Sequence, residues 1–161
     1  MKTLLAAAVA LCAMTLWQTS VSAVDRGRDR DEAQAAKTSP SLAAGRKAVE
    51  AKDFAGAIEH LTKAAHETPK DADVHNLLGY SYRNLRQFDK ALEHYRIALE
   101  IEPRHRGANE YIGELYLMMD QPANAEKHLN VLSRACLFGC KEYTELKEAI
   151  EKYKAERQGS R

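Results

Sequence analysis

Cysteine is scarce: three residues in 161, too few for a miniprotein built on a disulfide framework. Neither sign of charge is in excess. With 24 Lys and Arg against 23 Asp and Glu, and a net charge of +1, the chain lacks the basic surplus of a nucleic-acid binder, and no nucleic-acid partner is expected. Long apolar stretches are missing beyond the first twenty residues, so no retained membrane span is expected. What is present is 45% hydrophobic residues, enough for a packed core and too many for global disorder. The length suits one domain, or two at most.

The single apolar run lies at the start. Lys2 precedes it, it extends from Leu4 to Trp17 with one break at Thr15, and Val21-Ser22-Ala23 follows with small side chains. This is the pattern of a secretory signal peptide over residues 1–23, with cleavage expected after Ala23. The run is too short for a bilayer of about 30 Å. Leu11 stands before Cys12, where a lipoprotein signal needs a small residue. A bacterial secretory route and a periplasmic destination are expected. Without the signal, 138 residues remain with 23 charges of each sign, no Trp, and Cys136 and Cys140 as the only cysteines. Residues 24–37 are charged and nearly devoid of apolar side chains, which reads as a flexible tail.

A fixed step of 34 governs the rest. Gly45, Gly79 and Gly113 keep it, as do Ala57, Ala91 and Ala125, then Leu61, Tyr95 and Leu129, then Ala64, Ala98 and Leu132. Pro69 and Pro103 close the first two units. Such a period signals stacked supersecondary units. Within the middle unit, Val74, Leu78, Tyr82 and Leu85 form one helical stripe. Phe88, Ala91, Leu92, Tyr95, Ala98 and Leu99 form a second, and Pro103 stops it. Each unit is therefore expected to be a helical hairpin, with small residues where the two helices touch.

Leu78-Gly79, Tyr82, Ala91, Tyr95, Ala98 and Pro103 resemble the tetratricopeptide repeat pattern, with His75 standing where that family often has Trp. The first unit matches at Gly45, Ala57, Leu61, Ala64 and Pro69, with Ala48 at an aromatic position. The third matches at Gly113, Tyr116, Ala125 and Leu129, with Leu132 and Leu137 as departures. The resemblance implies an all-α, right-handed solenoid with repeats at about 38–71, 72–105 and 106–139. A capping helix at about 141–157 follows from Tyr143, Leu146, Ile150 and Tyr153, because a last hairpin needs its apolar face covered. Its expected role is packing only. Residues 158–161 are expected to be a disordered end, which sets the domain at 38–157.

The resemblance also implies a concave groove lined by the first helix of each hairpin and holding an extended or helical peptide. Transferred position by position, its lining is Leu42, Arg46 and Val49, then Asn76, Tyr80, Arg83 and Asn84, then Glu110, Glu114, Leu117 and Met118. Amides and a guanidinium suit backbone and carboxylate groups, and Leu117 with Met118 add an adaptable apolar end. The paired Lys and Asn clamp that grips a free C-terminal carboxylate in the family is not matched here.

Cys136 and Cys140 lie four residues apart. A regular helix holds such residues about 5–6 Å apart at Cβ, whereas a disulfide needs roughly 3.5–4.5 Å. The chain is therefore expected to leave helical geometry at Gly139 and form a disulfide, with a redox pair or a soft-metal site as the alternatives. Two thiolates fall short of the usual four ligands, and no metal or other cofactor is expected. His60, His94 and His128 share one position on the three second helices and are expected in half-buried slots between repeats. No zincin, phosphate-loop or nucleophile-elbow motif occurs, so an enzyme is not expected. The expectation is a non-catalytic adaptor for a peptide or protein partner. A thiol-redox or metal-handling protein and a self-associating component, which would make it an oligomer, are the alternatives.

Overall fold

The computed structural model describes residues 39–136 and 139–159. The expected signal segment 1–23 and tail 24–37 lie outside them. The described residues form seven helices and no strand. They are α1 Pro40–Glu50, α2 Phe54–Glu67, α3 Ala72–Asn84, α4 Phe88–Ile101, α5 Arg106–Met118, α6 Pro122–Ala135 and α7 Lys141–Gly159. Three hairpins and a final helix stack as the all-α solenoid that the resemblance implied.

Local chemistry sets the helix starts. Ser39, Asp53 and Asp71 accept backbone N–H bonds from the first turns of α1, α2 and α3, satisfying donors that a helix leaves orphaned. His105 does the same for α5, its Nδ1 accepting from Ala108 N at 3.0 Å. Pro122 begins α6, where its missing N–H costs nothing. The turns inside the hairpins also obey the period. Lys52, Arg86 and Asp120, 34 apart, are left-handed at φ 59°, 59° and 61°. The next N–H reaches back across each helix end: Asp53 to Ala48 O at 2.9 Å, Gln87 to Tyr82 O at 2.9 Å, and Gln121 to Tyr116 O at 2.8 Å. This is a Schellman-type ending in which a side-chain-bearing residue occupies the usual glycine position.

Glycine sets the helix spacing. A Cβ on Gly45 would lie 2.6 Å from the Leu61 side chain, and one on Gly79 would lie 2.6 Å from the Tyr95 ring. In both hairpins the second helix thus fits into a notch in the first. The third hairpin differs, because a Cβ on Gly113 would meet Leu146 of α7 at 2.6 Å, while Leu129 is only partly buried. Leu146 of α7 fills the notch at Gly113 that the hairpin's own second helix fills in the first two units. Arg106 faces Glu142 at 4.0 Å, Gly113 faces Leu146, and Asp120 accepts from both Tyr153 Oη and Arg157. These pairs advance together, so the two helices run parallel. Leu146 and Ile150 are buried with Ala125 and Leu132, worth about 1.5–3 kcal/mol for each large side chain. Helix α7 reaches Gly159, so Gln158 and Gly159 are helical where a disordered end was expected. No helix of the described residues is long and apolar enough to cross a membrane.

Candidate functional site

The first hairpin contributes less to the groove than expected. Leu42 is 5% exposed and packs with Ala57, Leu61 and Val74, and Val49 leans on the same cluster. Both serve the core, because an aliphatic side chain between neighbouring helices is most stable out of water. Arg46 lies at the rim and bonds Asp73 at 2.7 Å. His105 Nε2 lies 3.0 Å from the other oxygen of Asp73. Since His105 Nδ1 accepts from Ala108, its Nε2 carries the hydrogen and donates. The His105 bond, with Arg46 behind it, lowers the Asp73 carboxyl to about 2. The result is a polar latch across α1, α3 and the start of α5.

Aromatic rings form the groove floor. Phe54, at the start of α2, meets Tyr80 edge-on at 6.0 Å, and Tyr80 lies 5.0 Å from Tyr111 of α5. The Arg83 guanidinium lies over both tyrosines, 5.3 and 5.1 Å from the ring centres, and pairs with Glu114. Ring faces carry negative charge density, so this stacking favours the cation. Asn84 stays exposed and bonds Tyr80 O at 2.8 Å. Asn76, expected to meet a partner's backbone, is instead 7% exposed. It packs beneath Gly107, the residue that has no side chain to hold it outward, and its Oδ1 has no hydrogen-bond partner.

Two clefts lie along this floor and share Arg83, Glu114 and Ala149. One, of about 430 Å³, is lined by Tyr80, Tyr111 and Glu110 together with Glu145, Glu148 and Lys152 of α7. The other, of about 480 Å³, is lined by Asn84, Arg86, Leu117 and Met118. Met118 is 50% exposed despite being apolar. Tyr111 and the α7 residues were not among the expected lining. A signal for α7 existed, since one further step of 34 from Glu114 and Met118 lands on Glu148 and Lys152. Glu110 is 5% exposed. Burial, a hydrogen bond with Glu145 and the charges of Glu114, Glu145 and Glu142 raise its carboxyl to about 8. Near neutral pH the protonated form of Glu110 is therefore favoured.

The periodic histidines divide. His75 Nε2 donates to Pro69 O at 3.3 Å, so its Nδ1 accepts from His94 Nδ1 at 3.2 Å, and His94 stacks on Tyr82. His128 donates through Nδ1 to Asn109 Oδ1 at 3.0 Å and stacks on Tyr116. These are the expected half-buried slots. His60 is exposed instead, because Ala48 stands where Tyr82 and Tyr116 supply the stacking ring. Burial lowers the imidazoles of His75 and His94, and that of His128 to about 4. At Gly139 the backbone turns left-handed, φ 83°, and the Cα atoms of Cys136 and Cys140 lie 5.6 Å apart with their sulfurs at 2.11 Å. Among the described residues no group of three or more His, Cys, Asp or Glu side chains is placed to hold a metal ion.

The tetratricopeptide repeat family profile matches residues 72–105, the middle hairpin. No curated protein matches the chain in sequence. Solved structures share its fold. The TPR2B domain of yeast Sti1, in complex with pHsp70, is 16% identical, with a TM-score of 0.66 over 72% of this chain and 94% of that one. The first TPR of Spaghetti (RPAP3), bound to an HSP90 peptide, is 17% identical, with a TM-score of 0.63 over 73% and 92%. MamA of AMB-1 is 25% identical, with a TM-score of 0.55 over 77% and 70%. The middle hairpin thus matches the tetratricopeptide repeat profile, and the described residues share the fold of solved tetratricopeptide-repeat domains.

Proposed function

We propose that the protein is a non-catalytic interaction module that seats a segment of a partner protein along α3, α5 and α7. The observation that carries this is the pair of clefts joined at Arg83, Glu114 and Ala149, one floored by Tyr80 and Tyr111 and the other lined by the exposed Met118. Concave, partly apolar surfaces with a few convergent polar groups are the usual seat of ligands. Two of the structures that share the fold, those of Sti1 and RPAP3, are complexes with pHsp70 and an HSP90 peptide. The reading includes export to the periplasm with cleavage after Ala23, supported by the N-terminal pattern. It also includes a structural Cys136–Cys140 disulfide in the turn before α7, supported by the 5.6 Å between the two Cα atoms and consistent with the proposed export.

Crosslinking capture with the intact protein tests it, repeated with Tyr80→Ala, Arg83→Ala and Met118→Ser combined. These residues line the groove, whereas Asn76 is buried and would report on folding. The expected result is loss of specific capture with an unchanged helical spectrum. Capture that survives the triple substitution would move the interaction to another face.

A further inference from the structure

We infer that the cleft at Met118, beside the turn between α3 and α4, takes a partner segment in which a large apolar side chain lies close to an Asp or Glu side chain. This names the partner chemistry of the proposed groove and rests on that reading. The charges around this cleft leave one cation without a complement. Arg83 and Glu114 neutralise each other. Arg86, on the same wall, has no ion-pair partner among the described residues. Its guanidinium lies over the Phe88 ring, 5.3 Å from the centre. Stacking of that kind uses the flat face and leaves the N–H edge free to grip a carboxylate. The backbone beneath it is fixed, with Arg86 N donating to Arg83 O at 2.9 Å.

The third hairpin shows what a charge at this turn position does when a complement lies within reach. Asp120, 34 residues after Arg86, accepts from Tyr153 and Arg157 of α7. Arg86 carries the opposite sign, and an acidic guest side chain would supply what it lacks. The charged residues of α7 that face the groove line the other cleft. Only Ala149 of α7 reaches this one, so a guest carboxylate meets no wall carboxylate except the neutralised Glu114. The apolar half of the guest answers to Leu117, Met118 and Ala149. Met118 is 50% exposed, and Leu85, next to Arg86 in the chain, is 40% exposed. A methionine so placed is a deformable apolar contact.

Selection of random nine-residue sequences displayed between fixed flanks, with the full chain as bait, tests this. Enriched sequences are then measured as peptides blocked at both ends, so that every carboxylate belongs to a side chain. Enrichment of Leu, Ile, Met or Phe close to Asp or Glu supports the inference. Arg86→Glu should weaken those peptides about tenfold, because it exchanges an attraction for a repulsion. Replacing the peptide's acid with Lys should restore binding to that variant, which a merely structural role of Arg86 would not do. Arg86 is exposed, so the variant is expected to melt like the parent. Met118→Ser should weaken the same peptides and relax only the apolar position. Peptides that respond to Tyr80→Ala but are indifferent to Arg86→Glu, or that prefer Lys or Arg at the charged position, would overturn the inference and leave the groove standing. Absence of any peptide sensitive to Tyr80→Ala and Arg83→Ala would remove both.

Discussion

The buried Glu110 and the half-buried His128 pull stability in opposite directions with pH. The Glu110 carboxyl is held at about 8, against an ordinary value of 4.5. Between those values the folded chain binds a proton that the unfolded chain does not, so this group favours folding increasingly as the pH falls. Glu110→Gln, which keeps the shape and removes the charge, should therefore gain more stability over the parent at pH 9 than at pH 6. Thermal melts at the two pH values check this, and an equal difference at both would contradict it. His128, lowered to about 4 from 6.5, works the other way. From pH 6.5 downward the unfolded chain takes up a proton that the folded chain refuses, and stability is lost until about pH 4. His128→Gln should flatten the fall in melting temperature between pH 7 and pH 5 relative to the parent; an unchanged slope would place the loss elsewhere. Lys52 presents a backbone question instead. Its left-handed φ of 59° disfavours a side chain, and Lys52→Gly should stabilise the protein by about 0.5–1 kcal/mol, read from denaturant midpoints.

At the scale of elements, the contact between α5 and α7 governs the end of the stack. Gly113→Ala places a methyl against the fully buried Leu146, and overpacking of this kind costs roughly 1–3 kcal/mol. Leu146→Ala alone should cost about 2–5 kcal/mol. Together they should cost less than their sum, because the added methyl fills space that the removed isobutyl group leaves. Additive losses in a double-mutant cycle would mean that the two residues are not in contact. The hairpins themselves were legible in the sequence, since the 34-residue step is a direct imprint of identical helix packing. The role of α7 was not. Its expected role was packing only, and it is the parallel seating on α5 that turns Glu145 and Glu148 toward the groove. Leu42 and Asn76 were misread for a related reason. A position transferred from a family specifies a helix face, but neighbouring side chains decide whether that face meets water. Leu61 and Ala57 draw Leu42 inward, and the bare backbone of Gly107 lets Asn76 sink. His60 failed its slot because Ala48 provides no ring.

For the whole molecule, the decisive chemistry lies in the steps that finish the chain. The exported form is expected to begin at Val24. Closing the five-residue loop between Cys136 and Cys140 should contribute about 2 kcal/mol on the chain-entropy view. Intact-mass measurement of the protein recovered from the periplasm tests both expectations. The mass should correspond to residues 24–161 and fall short of the fully reduced form by two hydrogens. A mass that retains the first 23 residues, or an unoxidised pair, would contradict one or the other.

Helix α7 has a double duty. The same helix covers the last apolar layer through Leu146 and Ile150 and offers Glu148, Ala149 and Lys152 to whatever lies in the groove. A bound guest would brace the seal of the fold as well as the wall of its seat. Occupancy and heat resistance would then rise together, and the protein would act as its own thermal reporter of having found its partner.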